Sequence, residues 1–146
     1  MIDCQNTYVR GVMALDGVAA ALDEAAELLE RARLAGIPII HFQHDGGEGS
    51  PYDVRAEIGQ IVDKVAPRGD ETVIVKQFPN GFVQTDLDGR LKALSARNLV
   101  LAEAVECSVD EEGWIQWRCM LCPRPAGAGL RAVGSRWMAE AISSRR

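Results

Sequence analysis

The chain has 146 residues, of which 47% are hydrophobic and 25% are charged, a composition typical of one soluble globular domain. Its formal net charge of −5 argues against nucleic acid as a main partner, and no apolar run reaches the roughly 20 residues that a membrane helix needs. The first residues lack the basic and apolar stretches of an export signal, so we expect a cytoplasmic protein whose four cysteines are reduced.

Strand and helix patterns alternate from the start of the chain. Residues 1–3 are typical of the end of a strand, and Val18–Leu34 carries apolar residues at helical spacing. Gly36 follows this predicted helix at the position where a left-handed glycine often ends one. A buried strand is predicted over residues 37–42, and a long polar loop over residues 44–57 follows it.

The same alternation continues to about residue 102. Residues 72–76 predict a second clear strand, Thr85 can cap a short helix that runs to Leu94, and residues 98–102 predict another strand. Strands that alternate with helices form a parallel sheet with right-handed crossovers. In such sheets the functional site lies at the carboxyl ends of the strands.

The last third of the chain has a different composition. All three tryptophans lie beyond residue 113, and residues 103–129 predict no regular element. Residues 130–142 repeat apolar side chains as one amphipathic helix would. We therefore expect a single domain over residues 1–146, with a regular core over residues 1–102 and a divergent tail over residues 103–146.

Three polar residues stand at or just after predicted strand ends, namely Asp3, Lys76 and Cys107. A thiolate is a nucleophile whose pKa falls beside a cation, and a carboxylate can take the thiol proton and later return it. Taken singly, the residues have plainer roles as a turn former, a solvated lysine and a small core residue. No second cysteine or histidine pair accompanies Cys119 and Cys122, so we predict no metal site and no cofactor.

Four separate motifs resemble the isochorismatase-like, or cysteine hydrolase, superfamily. Residues 2–6 are similar to its opening I-D-x-Q-N, and residues 32–40 to its A-R-x-A-G-x-P-V-I. The run from Lys76 to Phe82, followed by Thr-Asp-Leu, resembles its K-x-x-x-S-x-F and T-D-L. Residues 98–102 are similar to the strand that leads to the family's catalytic cysteine, so the resemblance covers residues 1–102.

This resemblance implies a three-layer, Rossmann-like α/β fold and a set of residue roles. Asp3 would be the general base with Lys76 as its partner, Gln5 and Asn6 would shape the floor of the site, and Phe82 would line the pocket. The implied activity is hydrolysis of a small amide, carbamoyl or vinyl-ether substrate. The implied partners are that small molecule and, because the family often oligomerises, further copies of the chain.

The chain departs from the family pattern after Ala102. Glu103 stands where the family has glycine, and counting without gaps puts Val109 at the position of the cysteine nucleophile. Cys107 lies two residues earlier and could serve if the loop is shortened. Two hypotheses therefore stay open: a hydrolase that uses Cys107, or a catalytically inactive relative that acts as a binding or assembly subunit.

Overall fold

The computed structural model describes residues 1–103 and, beyond them, the backbone of two strands, Glu106–Val109 and Ile115–Arg118. The predicted helix over residues 130–142 lies outside the described residues. Within residues 1–103, no helix is both long enough and apolar enough to cross a membrane.

The first helix, α1, spans Val18–Leu34, which are the bounds that the apolar spacing predicts. Gly36 follows it with a φ of +64°, and its N–H donates to the carbonyl of Arg33, so the predicted glycine stop is confirmed. The second helix, α2, is shorter and spans Leu87–Ala93. Single 3-10 turns occur at Asn6–Tyr8, Glu57–Gly59 and Asp63–Val65.

The sheet is parallel, as the alternation of elements predicts. Strand β1 (Ile40–His44) pairs in parallel with β2 (Thr72–Lys76). On the other side of β1, Ile2 makes parallel bridges to both Phe42 and Glu103. The four chain segments therefore lie side by side, in the order Glu103, Ile2, β1 and β2. Their carboxyl ends lie at the same edge of the sheet.

Two predicted strands differ from the structure. The strand expected over residues 37–42 is β1 at Ile40–His44, because Pro38 has no N–H to contribute to a ladder and pairing begins beyond it. The strand expected over residues 98–102 is reduced to one bridge at Glu103. Its neighbouring segment leaves the extended conformation at Asp3, which has a φ of +51°, so no further pairs can form.

The prediction that residues 103–129 hold no regular element is also wrong. Strand β3 (Glu106–Val109) pairs antiparallel with β4 (Ile115–Arg118), and Cys107 lies opposite Trp117. Short strands of four residues each give too few alternations of apolar and polar positions to stand out in the sequence.

Within residues 1–103, the buried side chains form two clusters, one with each helix. Helix α1 packs against Cys4, Tyr8 and Val65. The second cluster joins four buried side chains from the sheet and α2, namely Ile2, Phe42, Ile74 and Leu87. A regular strand would place Ile2 and Cys4 on one face, so the left-handed backbone at Asp3 explains why they belong to different clusters.

Candidate active site

Asp3 and Lys76 form a buried ion pair at the carboxyl edge of the sheet. The Nζ atom of Lys76 lies 2.7 Å from Oδ2 of Asp3, and the lysine side chain is only 4% exposed. Strand β1 runs between the two segments, so their backbones are about two strand spacings, or roughly 10 Å, apart. The lysine side chain therefore reaches over the end of β1 to meet the carboxylate, as the predicted contact requires.

The carboxylate of Asp3 keeps one oxygen without a partner. Oδ2 is bound by Lys76, whereas Oδ1 is buried and has no hydrogen-bond partner among the described residues. A buried acceptor without a donor costs free energy, and such groups are concentrated at functional sites. The positive φ of Asp3 is a second strained feature at this residue, although aspartate tolerates that conformation better than most residues.

Gln5 connects three parts of the chain beneath this edge. Its side-chain Nε2 donates to the carbonyls of His44 and Gly59, at 2.9 and 2.6 Å, and its Oε1 accepts the N–H of His44 at 2.8 Å. Gln5 is fully buried. Gln5 fixes the end of β1, and this position agrees with the predicted role in the floor of the site. A contact of Gln5 with substrate stays a prediction.

The structure does not bring Asn6 together with the ion pair. Its Nδ2 donates to the carbonyl of Glu57, and the residue lines a groove of about 560 Å³ that Gln43 and Val73 also border. These two strand residues alternate with Phe42 and Ile74, so the groove opens on the face of the sheet opposite to Lys76. The predicted substrate contact of Asn6 therefore has no support from this geometry.

Phe82 is partly buried and packs against the cluster of Ile2, Phe42 and Ile74, on the face that carries Lys76. Its N–H is held by the side chain of Asn80 at 3.0 Å. This position agrees with a supporting role beside the site, and the substrate contact itself stays a prediction.

Cys107 lies in β3, and the structure describes its backbone only. It follows Glu103, which pairs with Ile2 beside Asp3, by four residues. Cys4, in contrast, is buried among the side chains that pack on α1, away from the ion pair. Within residues 1–103, no three His, Cys, Asp or Glu side chains are placed to hold a metal ion, and the absence of a cofactor stays a prediction.

Sequence reasoning missed His44 as a member of this site. His44 is the last residue of β1 and the register partner of Lys76. Burial and the ammonium group of Lys76 lower the pKa of His44 below its ordinary value, while the carboxylates of Asp3 and Asp45 act in the opposite direction. Extending the predicted strand by two residues would have placed this histidine at the carboxyl edge.

Comparison with known proteins assigns the chain to a family. Residues 1–102 match the family model described as the isochorismatase domain. The isochorismatase family protein YddQ of Bacillus subtilis is 39% identical over 104 residues, which are 69% of this chain and 58% of YddQ. Streptothricin hydrolase of Streptomyces noursei is 32% identical over 101 residues, which are 69% of this chain and 37% of that protein.

A solved structure supports the same assignment. The crystal structure of an isochorismatase from Pseudomonas putida superimposes with a TM-score of 0.62 at 38% identity, and the match covers 64% of this chain and 48% of that one. The α/β fold with a parallel sheet is thus shared with isochorismatase-like proteins. The chain belongs to the isochorismatase family, and it spans about half the length of the relatives it matches.

Proposed function

We propose that the protein is a hydrolase that acts on a small amide, carbamoyl or vinyl-ether substrate without a cofactor. In this proposal Asp3 is the general base, Lys76 orients and balances its charge, and Cys107 is the nucleophile. For an amide or carbamoyl substrate, Asp3 takes the proton of the Cys107 thiol and the thiolate attacks the carbonyl carbon. Asp3 returns this proton to the leaving amine as the carbon–nitrogen bond breaks, and water then hydrolyses the acyl-enzyme.

The observation that supports this proposal best is that Oδ1 of Asp3 has no hydrogen-bond partner among the residues that the structure describes. A general base must have a free lone pair within reach of the proton that it accepts, and Lys76 occupies only Oδ2. An ion pair that served stability alone would be expected to satisfy both oxygens with hydrogen bonds.

The chain length between Glu103 and Cys107 agrees with this role. Four residues span at most about 14 Å when extended, and Glu103 is one sheet position from the segment that carries Asp3. Streptothricin hydrolase, one of the relatives described above, supports hydrolysis as the type of reaction. The proposal further includes a cytoplasmic location and assembly into a homo-oligomer.

A second candidate function is a non-catalytic subunit that binds small molecules or assembles with related chains. The antiparallel hairpin of β3 and β4 favours it, because the alternating pattern of a parallel sheet would continue with a helix after residue 103. Glu103 adds a carboxylate close to where an oxyanion would form, and a negative charge there opposes acyl chemistry.

The deciding experiment measures hydrolysis of a panel containing a primary amide, an N-carbamoyl amino acid and isochorismate. Asp3→Asn and Cys107→Ser should each abolish turnover, while Cys4→Ala, which removes a thiol from the core near α1, should retain it. Turnover that persists in Cys107→Ser would exclude the thiol mechanism. A lack of turnover across the panel by the unmodified protein would favour the non-catalytic subunit.

A further inference from the structure

His44 lies at the end of β1, over which the side chain of Lys76 passes to reach Asp3. Because β1 lies between the segment of Asp3 and β2, the side chain of Lys76 must cross the end of β1 to reach Asp3. His44 ends that strand, and it lies on the same face as Lys76 because the two residues are register partners in a parallel pair. The imidazole is therefore close enough to the proposed catalytic pair for the charges of Asp3 and Lys76 to affect its pKa.

The backbone of His44 is fixed, whereas its side chain is available for binding. Gln5 bonds both the N–H and the carbonyl of His44. The imidazole stands edge-on to the ring of Tyr52, with 5.0 Å between the ring centroids and an angle of 89° between the planes. Neither ring nitrogen has a hydrogen-bond partner within residues 1–103, although the residue is partly buried.

Burial favours a neutral imidazole at His44. It is the largest of the effects that lower the pKa of His44; Lys76 lowers this pKa further, and the carboxylates of Asp3 and Asp45 act in the opposite direction. A neutral imidazole offers one donor and one acceptor, on opposite sides of a rigid ring. An uncharged ureido or carboxamide group offers N–H donors and a carbonyl acceptor, which matches this pair.

We propose that His44 binds the uncharged ureido or carboxamide group of the substrate and holds it against the Asp3–Lys76 pair. This inference rests on the proposed function, since it assigns a specificity-determining residue to that reaction. A carboxylate ligand would instead call for a protonated imidazole, and a cationic ligand would be repelled by Lys76.

The sharpest test uses the fact that the chain has only two histidines, His41 and His44. His41 is 1% exposed and hydrogen-bonded to Glu71, so its ring is an internal control in the same spectrum. Imidazole carbon resonances of the full-length protein are recorded while methylurea, acetate or methylammonium is added at equal concentrations. Methylurea should shift the His44 signals and leave those of His41 in place, and the two ions should shift neither.

Two substitutions separate binding from packing. His44→Gln keeps a donor and an acceptor without a ring, whereas His44→Phe keeps a ring against Tyr52 without hydrogen bonds. We expect His44→Phe to raise the dissociation constant of methylurea about tenfold, the effect of losing about one hydrogen bond, and His44→Gln to raise it much less. The reverse order would show that the ring serves packing and would overturn the proposal.

The outcomes also distinguish this inference from the proposed function. If methylurea shifts His44 but no substrate is hydrolysed, the binding role stands and the catalytic proposal fails. If substrates are hydrolysed and His44→Phe changes neither KM nor the methylurea affinity, catalysis stands and the role of His44 is refuted. A protein in which methylurea moves both histidines equally, or neither, would also refute it.

Discussion

Arg33 binds Glu71 through two parallel hydrogen bonds. Its Nε donates to Oε1 at 2.7 Å, and a terminal nitrogen donates to Oε2 at 2.9 Å. The same carboxylate accepts the N–H of Arg68 and contacts the ring of His41 at 3.0 Å. Glu71 thus connects α1, β1 and the turn before β2 through a single side chain that is 12% exposed.

Glu71→Gln should destabilise the fold by about 2–3 kcal/mol, because it removes the more buried of the two carboxylates that bind the guanidinium group of Arg33. Urea unfolding at neutral pH measures the effect. Glu30→Gln is the matched control: Glu30 also bonds Arg33, but its side chain is 50% exposed, so the loss of stability should be much smaller. Equal losses in the two variants would contradict the special role of Glu71.

The ionisation of the Glu71 carboxylate should also be visible in the pH dependence of the free energy of unfolding. The hydrogen bonds of Arg33 lower the pKa of Glu71 from 4.5 to about 2, while burial opposes this. A group whose pKa is lowered in the folded state contributes stability above its unfolded value, and that stability is lost as pH falls towards the folded value. The free energies of unfolding of the unmodified protein and of Glu71→Gln should therefore differ by roughly 3 kcal/mol less at about pH 2 than at pH 4.5. A constant difference across that window would contradict the assignment.

Lys76→Met should destabilise the protein by about 2–4 kcal/mol, because the carboxylate of Asp3 is then buried without a counter-charge. Adding Asp3→Asn to this variant removes the unpaired charge and should restore at least half of the loss. Chemical unfolding of both single variants and the double variant forms a double-mutant cycle. Additive losses would mean that the two side chains do not interact in solution.

Gly81→Ala tests the close approach of the loop after β2 to the core. A Cβ atom at this position would lie 2.9 Å from Cε1 of Phe42, whose ring is buried, so we expect a loss of about 1–2 kcal/mol. Gly89→Ala provides the control, because Gly89 lies within α2 and, apart from the backbone of that helix, no atom lies within 4 Å of the added carbon. It should stabilise the helix by about 0.5–1 kcal/mol. Thermal melts of the two variants should shift in opposite directions.

The sequence alone predicts the elements that carry their own periodic pattern. The 17 residues of α1 repeat apolar positions over several turns, and β2 has three successive apolar residues between Thr72 and Lys76, so the predicted bounds of both elements are correct. The contact of Asp3 with Lys76 was predictable because parallel strands bring their carboxyl ends to one edge.

Features that depend on tertiary contacts could not be predicted in this way. Glu71 stands in the sequence as one acid before a strand, and only the fold brings Arg33 and His41 to it. The three bonds of Gln5 likewise join residues that are far apart in the chain. His44 was missed for a smaller reason, since the predicted strand ended two residues too early.

The left-handed backbone at Asp3 influences which amino acids can occupy that position without strain. Glycine, asparagine and aspartate adopt a φ near +51° most readily, whereas β-branched residues are the most strained there. Proline is excluded as well, because the N–H of residue 3 donates to the carbonyl of Phe42. A library randomised at this codon should therefore yield stable clones enriched in glycine, asparagine and aspartate, and aspartate is the only acid among these three. The backbone conformation of residue 3 thus favours a few amino acids at this position, independently of any selection for catalysis.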